Sequence, residues 1–340
     1  MKRVMIVTNS LTGGGAERAM NLLANELSAR NLTVALVPIN SSHTDLVEPN
    51  CLVFPVNRRH KSGIFGTFVA LIKFNFIVAK FSPDVIVLNC DLPEFFGLLL
   101  VGRRSLIVVE HSNPAWTTRS LAGVRIRNLI NFRNVRWTAV SSHLQIWALS
   151  KKPEAILPNI LLPSKELLPR LQIAKDLRRI VFIGRLEPNQ KRPHFMLEVA
   201  KSLDFPVLII GEGPAKESLQ RESKKRSLNI SFRGFVTNPW SLVEDGDLLV
   251  VPSAWEGDGL VVVEGLQKNA PMLVSDIADF RRFNFPSEMY CKDVQEFCSN
   301  IARYKNSLSK LQVPEKIQGE ILNTRESSRV GDLWEDFINS

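Results

Sequence analysis

Glu256 and Glu264 stand eight positions apart in SAWEGDGLVVVEGL, a stretch that reads as strand end, tight turn and helix start. The apolar run LLVVPSA (248–254) predicts a buried parallel strand. Gly257 and Gly259 permit a close turn, and LVVVEGLQK (260–268) predicts a helix opening at Leu260. Glu256 then lies at the carboxyl end of a strand, and Glu264 lies further along the helix, able to face the same crevice. Open α/β sheets bind ligands there. Two carboxylates accept hydrogen bonds from sugar hydroxyls, one from a hexose and one from a ribose, while amides at the helix start receive phosphate.

Four more strand ends carry polar chemistry. Gly184-Arg185-Leu186-Glu187 follows the strand RRIVFIG, and Lys191 comes six residues after Arg185. A guanidinium fork and an ammonium suit a diphosphate, and together they neutralise a departing nucleoside diphosphate without a metal. Gly211-Glu212-Gly213-Pro214 ends the next strand in the same manner. In SLTGGGAER (10–18) consecutive glycines open the first helix, where backbone amides approach an oxyanion. A dinucleotide fingerprint fits poorly, because that loop does not follow G-x-G-x-x-G and strand two ends in Pro38-Ile39-Asn40 without an acid. His111 ends the strand SLIVVEH as a cleft-facing hydrogen-bond partner or proton handler, or as a structural histidine. Asp245-Gly246-Asp247 has the D-x-D form of a metal site, but its register puts both acids at the amino end of a strand, so it reads as a turn and no metal is expected.

These residues need two sheets to position them. Strands and helices alternate through KRVMIVT, AERAMNLLANELSAR, TVALVPI, DVIVLN, SLIVVE and VRWTAVS, then start again at RRIVFIG. The alternation predicts doubly wound parallel sheets. The expected organisation is a domain over 1–160, a Pro-bearing linker over 161–177, a second domain over 178–325, and a helix over 326–340 packing back on the first. The opening MKRVMIVTNS reads as a strand rather than a secretory leader, and four scattered cysteines suit reduced thiols. No run is read as long enough to span a membrane, the longest candidate EFFGLLLVGRRSLIVV being broken by Arg103 and Arg104.

The net charge of +9 is uneven: residues 1–165 hold 19 of the 43 lysines and arginines but 9 of the 34 acids. That half is expected to meet something anionic. Nucleic-acid signatures are missing, so a membrane surface is preferred. The run 57–81, NRRHKSGIFGTFVALIKFNFIVAKF, suits an amphipathic helix in a lipid interface, with a second basic series, Arg119, Arg125, Arg127, Arg133 and Arg136, within 119–136.

In order, GGGAER, EH, GRLEPNQK, GEGP, GF, DLLVVPSAWEGDGLVVVE and PMLVS resemble a retaining glycosyltransferase of family 4, most strongly from 178 to 276. The resemblance implies an α/β, GT-B architecture of two Rossmann-like domains facing each other across a cleft. It implies that Gly14 and Gly15 approach donor phosphate and acceptor, and that His111 holds the donor hexose. Arg185 and Lys191 would bind the diphosphate and stabilise its departure. Glu256 would grip the transferred sugar, with backbone contacts from Gly257, Asp258, Gly259 and Leu260, and Glu264 would bind the ribose. The implied reaction moves a hexose or N-acetylhexosamine from a nucleotide-diphosphate sugar, UDP-linked rather than GDP-linked, with no further cofactor. The implied acceptor is a lipid-linked saccharide of bacterial surface polysaccharide (O-antigen, capsule or lipopolysaccharide). The expected place is cytoplasmic, peripheral to the inner face of the cell membrane. The chain departs from the family at Arg192, where glycine is usual, at Asp258 for a common Phe, and at Gly265 with Lys268-Asn269 for small residues. A nucleotide-sugar epimerase of the same architecture and a non-catalytic nucleotide-sugar-binding protein are the alternatives.

Overall fold

The computed structural model describes residues 1–11, 14–40, 50–59, 63–111, 121–149, 151–163, 169–172 and 174–340. The chain divides into two units, Met1–Ile160 with Arg325–Ser340, and Leu161–Thr324.

The first unit runs β1 (Lys2–Thr8), α1 (Gly15–Ser28), β2 (Leu32–Pro38), β3 (Leu52–Val53), α2 (Gly63–Phe81), β4 (Val85–Asn89), α3 (Asp91–Leu98), β5 (Ser105–Glu110), α4 (Leu121–Asn131), β6 (Val135–Ala139) and β7 (Ala155–Ile156). Its strands pair in parallel in the order β3-β2-β1-β4-β5-β6-β7. A parallel sheet covered on both faces needs continuous apolar strands. VIVLN of β4 meets that need and is buried throughout, and Val7 of β1 sits between Val37 and Leu88. The order reverses between β1 and β4, the place where such sheets open a crevice. There buried Asn89 ties the strand ends together, its amide donating to Thr8 Oγ1 and to the Ala16 carbonyl.

The second unit runs β8 (Arg179–Ile183), α5 (Phe195–Leu203), β9 (Val207–Ile210), α6 (Lys216–Lys225), β10 (Ile230–Gly234), β11 (Asp247–Val251), α7 (Leu260–Lys268), β12 (Met272–Ser275), α8 (Ala278–Arg281), β13 (Tyr290–Cys291), α9 (Val294–Tyr304) and α10 (Glu315–Asn323). The parallel order is β10-β9-β8-β11-β12-β13, with the reversal between β8 and β11. Asp247 opens β11 and takes two hydrogen bonds from Arg179 of β8, while Asp245 accepts from the Gln172 amide. Both acids of the D-x-D are therefore engaged at the amino end of the sheet.

The segment expected as a linker, 161–177, counts with the second unit. Leu162, Leu171 and Leu177 are buried, the Leu171 amide donates to the Lys268 carbonyl, and Lys268 Nζ returns a bond to the Pro169 carbonyl. The last helix, α11 (Ser327–Asn339), counts with the first unit. Its Val330, Trp334, Phe337 and Ile338 are buried, and Arg30 at the end of α1 bonds Asp332, Glu335 and the Ser328 carbonyl. Gly331 makes that approach possible, because a Cβ there would lie 2.4 Å from the Arg30 guanidinium.

The basic series of the first unit differs from its expected form. Arg127 is buried, Arg133 donates to the carbonyls of Gly97, Leu98, Leu100 and Gly102, and Arg136 stacks on Phe337 and bonds its carbonyl. Arg125 is the exposed one among the described residues of the series, and Arg119 lies outside them, as Lys61 does. Arg58 is tied to Thr67 and Asn40. The helix α2 also corrects the membrane reading: its 19 residues are long and apolar enough to cross a bilayer by length and composition.

Candidate active site

The site grows from two neighbouring strand ends in the second unit. After β8 the chain passes through Gly184 to Lys191, against the loop that follows β9. The Leu186 amide donates to the Glu212 carbonyl, and the Ala215 amide donates to the Leu186 carbonyl. Glycine is required at this crossing: a Cβ on Gly211 would sit 1.9 Å from the Gly184 oxygen, and one on Gly213 would sit 2.7 Å from the Leu186 nitrogen. The expected GEGP turn therefore supports the Gly184–Lys191 loop through backbone contact.

From that loop Lys191 reaches β11's end. Its ammonium meets Glu256 Oε1 at 2.5 Å, and the buried Ser253 hydroxyl donates to the same oxygen at 2.7 Å. The loops are also joined by backbone and amide bonds, Ala254 N to the Gln190 carbonyl and Gln190 Nε2 to the Trp255 carbonyl. Glu256 is 6% exposed. Arg185 is exposed, and among the described residues no acid forms an ion pair with it. The pair of adjacent strand ends thus presents an ammonium shared with a buried carboxylate, and on the same loop a guanidinium in solvent.

The turn from Glu256 to Leu260 is held from below. The Glu256 amide donates to Asp279 Oδ2 at 2.7 Å. Arg282 donates to the Asp258 carbonyl and carboxylate through Nη2 and to the Asp279 carbonyl through Nε. Gly259, left-handed at φ 65, caps α7, and a Cβ there would press on Phe280 at 3.0 Å. Leu260 then starts α7, whose first amides have no partner within the helix and suit an anion. Asp258 has a physical role in this turn: the acid is buried and paired with Arg282. Gly257 lies buried in the same turn. Glu264 is buried on α7 and accepts a 2.7 Å bond from Trp240 Nε1. The structure brings Lys191 and Glu256 together, and Glu264 meets Trp240 from its place on α7.

Gly14, Gly15 and His111 belong to the first unit. Gly14 is the extended residue before α1, its carbonyl accepting from the Arg18 amide, and Gly15 begins the helix. Thr12 and Gly13 of the same motif lie outside the described residues. His111 follows β5, two strands from β1 across β4, and is partly buried. Glu110, the residue before it, belongs to a group that the sequence reading missed. Arg127 donates twice to Glu94 and once to Glu110, all three about 1% exposed, with its guanidinium between the Trp137 and Trp147 rings. Burial pushes the Glu94 carboxyl up to about 7 against the pull of Arg127. Ser253, Asp279, Arg282 and Trp240 were also missed: Asp279 and Arg282 reach the turn from α8 and Trp240 reaches α7 from the segment before β11, and no spacing marks any of the four.

Residues 164–287 match the family model described as glycosyl transferases group 1. A Campylobacter jejuni GalNAc-alpha-(1->4)-GalNAc-alpha-(1->3)-diNAcBac-PP-undecaprenol alpha-1,4-N-acetyl-D-galactosaminyltransferase is 24% identical over 279 residues, which cover 78% of this chain and 77% of that protein. An Escherichia coli UDP-Gal:alpha-D-GlcNAc-diphosphoundecaprenol alpha-1,3-galactosyltransferase is 32% identical over 108 residues, 28% of this chain and 27% of that one. Among solved structures, Anabaena HepE in complex with UDP and glucose superposes with a TM-score of 0.81 at 15% identity, covering 100% of both chains. S. aureus TarM superposes with a TM-score of 0.80 at 13% identity, again over 100% of both. The fold is GT-B with two Rossmann-like domains, and the family model together with the bacterial relatives supports a GT-B glycosyltransferase.

Proposed function

We propose that this chain is a retaining, metal-independent glycosyltransferase of family 4. It moves a hexose or N-acetylhexosamine from a UDP-sugar to a lipid-linked saccharide in bacterial surface polysaccharide synthesis. The observation that carries the reading is the contact of Lys191 with Glu256 at adjoining strand ends, with exposed Arg185 on the same loop. Two cations at one sheet edge suit a diphosphate, and a carboxylate held between an ammonium and a serine hydroxyl suits sugar hydroxyls. Glu264 on α7 is assigned the ribose.

In this reading the bond between the anomeric carbon and the diphosphate oxygen breaks first. Arg185 and Lys191 take up the charge that develops on that oxygen, and the amides at the start of α7 add to it. The acceptor hydroxyl attacks from the face the diphosphate leaves, forming the new glycosidic bond with retention. Its proton passes to the departing phosphate oxygen, so no separate base is needed. Gly14, Gly15 and His111 are assigned to the first unit's side of the reaction.

The relatives reported are named as transferases, and two of those names specify undecaprenol-linked acceptors. Their names support transfer over epimerisation and a lipid-linked acceptor over a soluble one. Purified chain is incubated with a panel of UDP- and GDP-sugars, with and without an undecaprenyl-diphosphate saccharide. Transfer from a UDP-sugar with the donor's anomeric configuration retained in the product is the expected result. Inversion of configuration, or isomerisation of the donor in the acceptor-free arm, overturns the proposal.

A further inference from the structure

We propose that α2 docks the first unit onto an anionic lipid bilayer, lying in the plane of the interface rather than crossing it. Ile64, Phe68, Ile72 and Phe76 recur every four residues, with Phe65 and Val69 beside them, and all six side chains are exposed. Phe65 is 79% exposed and Phe76 68%. Four residues is one helical turn, so these side chains form one continuous stripe. Ala70, Phe74, Ile77, Val78 and Phe81 point the other way, into the core. A helix that crossed the bilayer would have to surrender that buried face. An in-plane helix keeps it and sinks the outer stripe into the lipid.

The stripe continues onto neighbouring segments of the same unit. Asn75 of α2 accepts from the Val101 amide, and Arg133 holds the carbonyls of Leu98, Leu100 and Gly102. These bonds fix the 99–102 loop between α2 and the end of α4. Leu99, Val101, Leu129 and Phe132 are exposed there, Phe132 at 85%. Surfaces of soluble monomers rarely carry so broad an apolar area without a partner.

Charge selects the occupant. No Asp or Glu occurs in 63–81, 99–104 or 121–133. Lys73, Lys80, Arg103, Arg104 and Arg125 are exposed around the apolar residues. A second copy of the chain in a two-fold pair would set this basic face against itself. A bilayer containing anionic lipid accepts the apolar stripe and the surrounding bases together. The inference does not depend on the glycosyltransferase reading.

The full chain is sedimented with vesicles of phosphatidylglycerol and phosphatidylcholine, and with phosphatidylcholine alone. Binding to the anionic vesicles is expected, falling about tenfold or more in F65S/F68S/F76S. K73E/R103E/R104E is expected to lose the preference for anionic lipid. Hydrogen exchange of 63–81 in the wild-type chain, slowed by anionic vesicles, gives a reading that needs no variant. Failure to bind anionic vesicles overturns the proposal. So does a lipid-free dimer that F65S/F68S/F76S converts to monomer, which would identify a second copy as the occupant. Retention of the chain on vesicles through alkaline carbonate extraction would show a spanning helix and overturn the in-plane geometry.

Discussion

Lys191 and Glu256 meet at 2.5 Å although 65 positions separate them in the chain. They are brought together because β8 and β11 pair directly in the sheet, so the loops that leave their carboxyl ends share one edge. The contact differs in kind from the situation of Arg185, which stands in solvent on the same loop. Replacing each cation with alanine separates a chemical role from a structural one. Arg185→Ala should slow transfer on the order of 10²-fold, by analogy with a lost oxyanion donor. Its unfolding free energy should stay within about 0.5 kcal/mol of wild type, as for an exposed, unpaired side chain. Lys191→Ala should slow transfer as much and also cost about 1–3 kcal/mol, because the change takes an ammonium away from a carboxylate that stays buried. Urea unfolding and steady-state rates on the same preparations check both halves. Near-normal turnover of Arg185→Ala would remove it from the reaction.

Arg282 acts on the reaction through the turn that carries Glu256. Its fork holds the Asp258 carbonyl and carboxylate and the Asp279 carbonyl, and Asp279 in turn holds the Glu256 amide. Arg282→Lys keeps the charge but loses the fork, so it should raise KM for the donor several-fold with a smaller fall in kcat. Asp279→Asn should have a milder effect of the same kind, since an amide oxygen still accepts from the Glu256 nitrogen. Equal loss of kcat and kcat/KM with KM unchanged would place Arg282 at the reacting atoms instead.

Much of this was legible in the sequence, and the reason is local. Strands such as VIVLN and DLLVV carry four consecutive apolar residues because both faces are covered, and that is visible without any partner. Arg185, Lys191 and Glu256 stand just after such strands, so the sheet itself brings them to one edge. The strands β3, β7 and β13 were not legible, since two residues carry no period. Nor was the engagement of Asp258 with Arg282 or of Glu264 with Trp240, because each bond crosses between elements whose relative placement the sequence does not state. The same holds for Arg127, read as one of a surface series and found buried between Glu94 and Glu110. A run of arginines looks alike whether it faces water or carbonyls.

Two glycines give opposite expectations from the same substitution. Gly211 has φ 146, and an added Cβ would sit 1.9 Å from the Gly184 oxygen, which is backbone and cannot turn away. Gly211→Ala should cost more than about 2 kcal/mol and weaken the Gly184–Lys191 loop with it. Gly319 lies inside α10 with nothing within 4 Å of an added Cβ. Gly319→Ala should stabilise by about 0.5–1 kcal/mol through helix propensity and a less flexible unfolded chain. Chemical denaturation of the two variants reads both signs, and a tolerated Gly211→Ala would mean the two loops do not touch as described.

Glu94 and Glu110 share one buried guanidinium, so the group carries more negative than positive charge when both are ionised. Desolvation pushes the Glu94 carboxyl up to about 7 from its ordinary 4.5, Arg127 opposes the rise, and the Glu110 and Asp91 charges add to it. Between those values the folded chain holds a proton that the unfolded chain releases, so stability falls as pH rises. The contribution of Glu94 is whole below about pH 4.5 and is lost as pH passes about 7, a span of at most about 3 kcal/mol. Glu94→Gln keeps the shape, still accepts from Arg127 through its carbonyl oxygen, and has no proton to lose. Urea unfolding of wild type and Glu94→Gln at pH 5 and pH 7.5 should therefore show the variant gaining on wild type at the higher pH. A stability difference that does not change across that interval would mean that the carboxyl is ionised throughout and that Arg127 overcomes its burial.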